Sequence, residues 1–234
     1  MKTEHLLIMR FTALGEVAML VPVVSSLAQQ YPELRITVLS NPFARSLFDG
    51  IAHNVGFMAA DLNGEYHGVK GLNALYRRLV AKNFTAIADM QSILRSSYLR
   101  MRFNISSYRV EHLDNHRQDR RKLVATKDKC LRQLPSLFDD YIDVLARLGY
   151  NVRLDFQSLF PPTGGNLRLV SDRIGEKKMF QQWIGIAPFA AFRGKVYPAQ
   201  LTERVIAELI RRHPSCRIFL FGGGDAVMAQ IDRW

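Results

Sequence analysis

Short apolar runs alternate along this chain with longer segments in which the apolar residues recur at helical spacing. The first run, HLLIMR at residues 5–10, is nearly all apolar, as a strand buried on both faces requires. A segment with helical periodicity follows it over residues 16–30. This order of strand and helix returns several times, and it is typical of parallel strands joined by crossover helices. The sequence therefore predicts an α/β fold built on parallel, Rossmann-type sheets.

The alternation divides the chain into a complete and an incomplete domain. We predict a first domain over residues 1–160, a proline- and glycine-rich linker over residues 161–180, and a second domain over residues 181–234. Strands are predicted at residues 5–10, 35–40, 55–60, 84–90, 107–112, 183–188 and 217–221. Helices are predicted at residues 16–30, 42–49, 68–83, 93–103, 134–148 and 199–213. An open sheet usually has about four to six strands, so the second domain is expected to be incomplete.

The charge and the reactive residues narrow the classes of function. The 234 residues carry a formal net charge of +11, so an anionic partner is expected: a nucleic acid, an acidic membrane surface or a phosphorylated substrate. Cys130 and Cys216 match no ligand or redox spacing, and the histidines show none either, so no metal is predicted. No cleavable signal precedes the first strand, which favours a cytoplasmic protein. The longest apolar stretch, residues 17–28, is too short to span a bilayer, so membrane contact is expected to be peripheral.

A charged segment at residues 114–132, DNHRQDRRKLVATKDKCLR, interrupts the alternation. It is poor in apolar residues, and two interpretations remain open: a solvated surface loop, or a mobile arm that contacts phosphate groups. In the second interpretation, Arg117, Arg120, Arg121 and Lys122 are the candidate phosphate contacts.

One acidic residue, Glu16, lies in the turn that follows the first strand, in the sequence FTALGEV. Glycine-containing turns at this position commonly bind phosphate, because a helix start offers free N–H groups and a partial positive charge. A carboxylate there would repel phosphate. Either Glu16 only stabilises the start of the helix, or the turn holds a ligand that needs a base.

Four short segments carry a resemblance to a known family. MRFTALGEVAMLVPVVSSLAQQYP contains a strand, a Leu14-Gly15-Glu16 turn and a helix with Pro22, and ADMQSILRSSYL fits the pattern D-x-Q/H-x-x-x-[RK]-S. IGIAPFAAFRGKVYPAQ has a strand, a loop and a K-x-aromatic-P motif, and IFLFGGGD is a strand that ends in glycines. Together and in this order they resemble the lipopolysaccharide heptosyltransferases of glycosyltransferase family 9, with Glu16 in place of the family's aspartate. The family's C-terminal D-T-G-x-x-H signature has no counterpart in the 234 residues, so the chain is expected to bind donor weakly.

The resemblance implies a GT-B-like fold and an inverting transfer of heptose from a nucleotide-activated donor, ADP-heptose, to a phosphorylated lipid A or core oligosaccharide. It implies that Glu16 is the general base and that Lys195 stabilises the departing diphosphate. The implied donor-binding residues are Pro188, Lys195, Gly222 and Gly223. The acceptor-binding candidates are Gly15, Asp89, Gln91 and Arg95 from the resemblance, and Arg120, Arg121 and Lys122 from their charge. The resemblance implies no cofactor. It also implies a peripheral position on the cytoplasmic face of the inner membrane.

Structural roles and other functions compete with these assignments. Asp89 can cap the next helix, Arg95 can face solvent, and Lys195 can be an ordinary surface lysine. A basic nucleic-acid-binding protein would explain the net charge but neither Glu16 nor the two domains, and no nucleic-acid-binding motif is present. A non-catalytic remnant of the glycosyltransferase family would keep the site residues without turnover.

Overall fold

The computed structural model describes residues 4–160, 165, 167–172, 174–190 and 192–234. The chain forms two compact units, Met1–Leu159 and Phe160–Trp234. The linker expected at residues 161–180 lies partly outside the described residues, including its proline-rich start at 161–164. The linker and the domain bounds therefore stay predictions.

The first unit is built on a five-stranded sheet in which every pair of neighbouring strands is parallel. Its strands are β1 (His5–Met9), β2 (Arg35–Ser40), β3 (Val55–Ala59), β4 (Ala86–Asp89) and β5 (Arg109–His112). They lie in the order β3-β2-β1-β4-β5. The register pairs Met9, at the end of β1, with both Leu39 and Asp89, so three strands end at one edge. The predicted α/β class with parallel sheets is confirmed.

Helices cover both faces of this sheet. The unit contains α1 (Leu14–Ala18), α2 (Leu20–Gln30), α3 (Gly68–Val80), α4 (Leu94–Ile105), α5 (Arg117–Val124) and α6 (Leu137–Arg147), of which all but α5 contribute buried residues to the cores. Leu6 and Ile8 of β1 pack with α2 and α6 in one core, whereas Leu7 and Met9 pack with α3 and α4 in the other. Every residue of β1 is buried, which accounts for the almost unbroken apolar run at the start of the chain.

Two predicted elements differ from the structure. The single helix expected over residues 16–30 is two helices, α1 and α2, and Pro22 explains the break because its nitrogen has no hydrogen to donate to the preceding turn. The loop expected over residues 114–132 is wrong for Arg117–Val124, which form α5, and the mobile arm that contacts phosphate groups stays a prediction. These eight residues include arginine, lysine, glutamine and leucine, which favour helix, and contain no glycine or proline.

The second unit contains a parallel pair of strands, β6 (Trp183–Ile186) and β7 (Arg217–Leu220). Two helices, α7 (Ala199–Arg212) and α8 (Asp225–Ile231), follow these strands, and a short 3₁₀ turn at Arg193–Lys195 precedes α7. Gly222, just after β7, approaches α8 so closely that a Cβ there would lie 2.4 Å from Cγ1 of Val227. Only glycine fits that approach.

Asn54 ties the end of α2 to the sheet, and this contact can be tested. Its side-chain nitrogen donates to the carbonyl oxygens of Ala28, Tyr31 and Leu34 at 3.2, 3.1 and 3.0 Å. We expect Asn54→Ala to lower the free energy of unfolding by about 1–3 kcal/mol, because these carbonyls lose their donor. Urea unfolding measures the change, and the exposed Asn104→Ala in α4 is the control, expected within about 0.5 kcal/mol of the unsubstituted protein. Equal unfolding midpoints for the two variants would contradict the prediction.

Candidate active site

The candidate site lies at the carboxyl edge of the first sheet, between β1 and β4. From β1 the chain continues outward through β2 to β3 on one side, and it then returns to place β4 and β5 on the other. At such a reversal the loops after two neighbouring strands diverge, and open parallel sheets bind ligands in the crevice between them. Here these loops are residues 10–13 and residues 90–93.

Glu16 lies in the first turn of α1, and two groups hold its carboxylate from the side of the sheet. Arg10, whose side chain is 6% exposed, forms an ion pair with Oε2 of Glu16, and the Ala13 N–H donates to the same oxygen at 3.1 Å. The Ala13 contact is the helix-stabilising role that one interpretation of the sequence expected. The Glu16 side chain is nevertheless 47% exposed, so the carboxylate also remains accessible to a ligand. Gly15, the residue before Glu16, has open space at its Cβ position.

Arg10 is a part of the site that the sequence analysis missed. Its guanidinium also donates to the carbonyl of Met90, and it lies over the ring of Tyr141 at 5.5 Å. The Tyr141 hydroxyl donates to the backbone carbonyl of Glu16 at 2.9 Å, and burial raises the pKa of Tyr141, which keeps this donor protonated. A charged residue at the end of a buried apolar strand needs partners, and that was the available signal.

Asp89 supports the site by holding the loop that follows β4. Its side chain is fully buried, and Oδ1 accepts the backbone N–H groups of Gln91 at 3.1 Å and Ser92 at 3.0 Å. Oδ2 lies 3.3 Å from Nη1 of Arg100. Since α4 begins after Ile93, Asp89 shapes the turn before the helix and does not cap the helix itself. Any effect of Asp89 on a bound ligand therefore passes through the loop that it holds.

Gln91 joins the two loops that flank the site. Its Oε1 accepts the Phe11 N–H at 2.8 Å, and its Nε2 donates to the Thr12 carbonyl at 3.0 Å. With 5% of its surface exposed, Gln91 reaches a ligand less directly than Glu16 does. It fixes the spacing of the two loops.

A cavity of about 290 Å³ opens beside these loops. Its lining residues come from the loops that follow β1, β2, β3 and β4 and from the start of α4, and they are Phe11, Thr12, Asn41, Ala60, Leu62, Asn63, Ile93, Leu94 and Arg95. Arg95 supplies the charge, and it donates to the Leu62 carbonyl at 3.1 Å and to Oδ1 of Asn63 at 2.7 Å. Arg95 is half-buried, so these contacts hold its side chain at the cavity while part of it faces solvent. Most of the lining is apolar, and Arg95 is its one charged residue.

The basic helix α5 lies apart from this cavity. Arg120, Arg121 and Lys122 are exposed and are absent from the cavity lining, so the structure does not bring them together with Arg95. A second, more polar cavity of about 950 Å³ lies at the end of β5, and Arg117 is one of its lining residues. His116 precedes α5 and connects it to α6, because its Nε2 lies 2.8 Å from Oδ1 of Asp140.

The candidate donor residues lie in the second unit. Pro188 is buried, and the loops after β6 and β7 are adjacent, because the Phe221 N–H donates to the Ile186 carbonyl at 2.8 Å. Gly222 is needed for packing, as described above, whereas a Cβ at Gly223 would meet open space. Lys195 is exposed in the turn before α7, with its Nζ 5.7 Å from the ring centre of Phe192.

Among the residues that the structure describes, no group of three or more histidine, cysteine, aspartate or glutamate side chains could hold a metal ion. None of the described helices combines the length and the apolar character needed to cross a bilayer.

Solved structures share this architecture. A glycosyl transferase of family 9 from Veillonella parvula matches with a TM-score of 0.70 and 18% identity, over 99% of this chain and 67% of that one. The E. coli heptosyltransferase WaaC with ADP-2-deoxy-2-fluoro heptose matches with a TM-score of 0.67 and 14% identity, over 98% of this chain and 72% of that one. No protein-family model matches the chain, and no curated protein matches its sequence significantly. The resemblance seen in the sequence is thus confirmed for the fold, which is that of the family 9 glycosyltransferases.

The contact between His116 and Asp140 predicts a titration. The hydrogen bond that the His116 imidazole donates to Asp140, with the negative charges of Asp140 and Asp114, raises the pKa of His116 above 6.5. Its contribution to stability is therefore complete below about pH 6.5 and is lost as the pH rises through the folded-state pKa. We expect Asp140→Asn to lower the pKa of His116, as measured by NMR titration of the imidazole. The titration of His112, whose pKa burial lowers, is the control, and an unchanged His116 titration would contradict the prediction.

Proposed function

We propose that this chain, which has the family 9 glycosyltransferase fold, acts as a glycosyltransferase. It would transfer heptose from ADP-heptose to a phosphorylated lipid A or core oligosaccharide. The observation that carries the proposal is the half-exposed carboxylate of Glu16 at the point where the sheet reverses its strand order. Both contacts that hold the carboxylate, from Arg10 and from the Ala13 N–H, use Oε2. The two functions, capping and base, are compatible because the first orients the group that the second uses.

In this proposal Glu16 is the general base. An acceptor hydroxyl attacks the anomeric carbon of the donor sugar, its proton passes to the Glu16 carboxylate, and the bond from that carbon to the diphosphate breaks. The hydroxyl becomes acidic only as the new bond forms, so a carboxylate is a sufficient base. Attack opposite to the departing diphosphate inverts the anomeric configuration. Arg10 and the Ala13 N–H fix the carboxylate for this step.

The second unit supplies the donor side of the proposal. A departing diphosphate gains negative charge, and a nearby cation stabilises that charge. Lys195 has this role, and the N-terminus of α7, which begins four residues after it, adds a favourable dipole. Pro188, Gly222 and Gly223 shape the loops at the same end of β6 and β7.

The acceptor side of the proposal uses the first unit. The cavity at Arg95 receives a sugar with one anionic substituent, next to the loops that Gln91 and Asp89 hold. Arg120, Arg121 and Lys122 of α5 attract further phosphates of the acceptor. A lipid-linked acceptor places the protein peripherally on the cytoplasmic face of the inner membrane. The nucleotide sugar is the only other small molecule that the proposal requires.

Glu16→Gln tests the base. In the gene product that contains this sequence, we expect heptose transfer to fall by roughly 10²–10⁴-fold, because glutamine keeps the size and polarity of the side chain but cannot accept the proton. Transfer of labelled heptose to the lipid acceptor measures turnover, and calorimetry measures ADP-heptose binding, which is expected to change little.

Lys195→Ala is the matched contrast, because it is expected to weaken donor binding and to slow transfer together. Glu16→Asp tests whether the longer side chain of glutamate is adapted to this acceptor. If it is, transfer by the aspartate variant should be slower than by the unsubstituted protein. Full transfer activity in Glu16→Gln, with only lower folding stability, would leave Glu16 as a helix-capping residue. Donor binding without any transfer by the unsubstituted protein would favour the non-catalytic alternative.

The cations of α5 give a separate prediction about the acceptor. We expect R120Q/R121Q/K122Q to weaken acceptor binding by roughly tenfold at low salt, since exposed charge pairs contribute about 0.2–1 kcal/mol each. The salt dependence of binding should also become shallower. The control removes three exposed cations of the second unit, which are Lys177, Lys178 and Arg204. Equal binding by both variants across the salt series would exclude α5 from the acceptor site.

A further inference from the structure

We infer that the outward surface of α3 and α4 docks on an anionic lipid bilayer. An apolar stripe on α4 is formed by Leu94, Met101 and Ile105, which are 89%, 48% and 75% exposed. At about 100° per residue these three side chains lie within roughly 40° of one another around the helix. The buried residues Leu99 and Phe103 lie on the opposite side. A helix packed on a sheet usually turns polar residues outward, so this second apolar face is unusual.

The surroundings of the stripe are strongly basic. Residues 66–110 contain eight lysines and arginines but a single acidic residue, Asp89, whose side chain is fully buried. The nearest acidic residues along the chain are Glu65 before this segment and Glu111 after it. No acidic side chain of the segment therefore reaches its surface.

The cations of α3 and the stripe of α4 lie on the same side of the molecule. Both helices pack through one core on one face of the sheet, so their outer sides point the same way. Lys70 and Arg77 are exposed on the side of α3 that is opposite to its buried residues Leu75 and Leu79. Tyr98 and Arg102 of α4 donate hydrogen bonds to Oδ1 of Asn73 in α3, at 2.9 and 2.7 Å. These bonds connect the outer sides of α3 and α4.

An anionic bilayer satisfies both features of this surface. Leucine, methionine and isoleucine side chains gain free energy on leaving water for the boundary of the acyl chains, while lysine and arginine stay at the anionic headgroups. A nucleic acid would leave the apolar stripe in water. A second copy of the chain would bring two basic surfaces together, which like charges oppose.

The docking surface begins at the candidate active site. Leu94 belongs both to the stripe and to the lining of the cavity that contains Arg95, and the stripe continues along α4 for about 16 Å. A bilayer on this surface would present lipid-linked groups at the mouth of the cavity. The inference thus adds a partner surface to the proposed function and in this sense rests on it, but docking can be measured without any sugar transfer.

Flotation with lipid vesicles tests the surface. The protein should bind vesicles of phosphatidylcholine with phosphatidylglycerol, and much less to phosphatidylcholine alone. We expect L94Q/I105Q to lower the partition coefficient by roughly tenfold or more, because two exposed apolar side chains no longer enter the bilayer. Glutamine favours helix, so circular dichroism and urea unfolding should show an intact fold. The control V124Q/L131Q replaces side chains that are 79% and 80% exposed elsewhere in the first unit and should bind as before.

The charge contribution is measured separately. We expect K70Q/R77Q to weaken binding to the anionic vesicles by roughly fivefold per cation. The reason is that each lysine or arginine near an anionic surface contributes about 1 kcal/mol to the binding free energy. Undiminished binding by L94Q/I105Q would overturn the inference, and so would an equal loss in V124Q/L131Q. Self-association of the protein that L94Q/I105Q abolishes, without vesicle binding, would assign the stripe to a second copy and also overturn it. Normal vesicle binding without heptose transfer would reject the proposed function and leave the docking surface standing.

Discussion

The buried guanidinium of Arg10 joins the elements on which the candidate site depends. It contacts Glu16 in α1, the Met90 carbonyl after β4 and the ring of Tyr141 in α6. A buried charge is unfavourable unless it is paired, so these partners must be in place for the arginine to remain inside. Because Arg10 directly follows β1, the position of Glu16 is set by the central strand of the sheet. The carboxylate is thereby tied to a strand whose residues are all buried.

A second layer of hydrogen bonds holds the loops around this pair. Asp89 accepts two backbone N–H groups of its own loop, and Gln91 reaches across to the loop after β1. The motif that suggested acceptor-binding residues thus contains two kinds of side chain. Arg95 lines the open cavity, whereas Asp89 and Gln91 are buried below it. Such a division is common where a binding geometry must be kept, since contact residues need supports with few alternative conformations.

The basic regions of the chain have different surroundings. The cations of α5 stand on a helix without buried residues, which His116 connects to α6 through Asp140. The cations of α3 stand beside an apolar stripe on a helix that is firmly packed through Leu99 and Phe103. The first helix has exposed residues on all sides, whereas the second presents an apolar stripe on one side only. A net charge of +11 does not distinguish them.

The sequence by itself determined the α/β class, the order of strands and helices, and the carboxylate after β1, because apolar periodicity and turn residues act over short distances along the chain. It did not determine that residues 117–124 are helical, since an exposed charged segment has no periodic apolar signal to show it. Only the tertiary structure decided that Arg10 meets Met90 and that Gln91 meets Phe11, both 80 residues apart. It alone also decided that Leu94 and Ile105 face outward, because burial depends on which side of α4 the sheet covers.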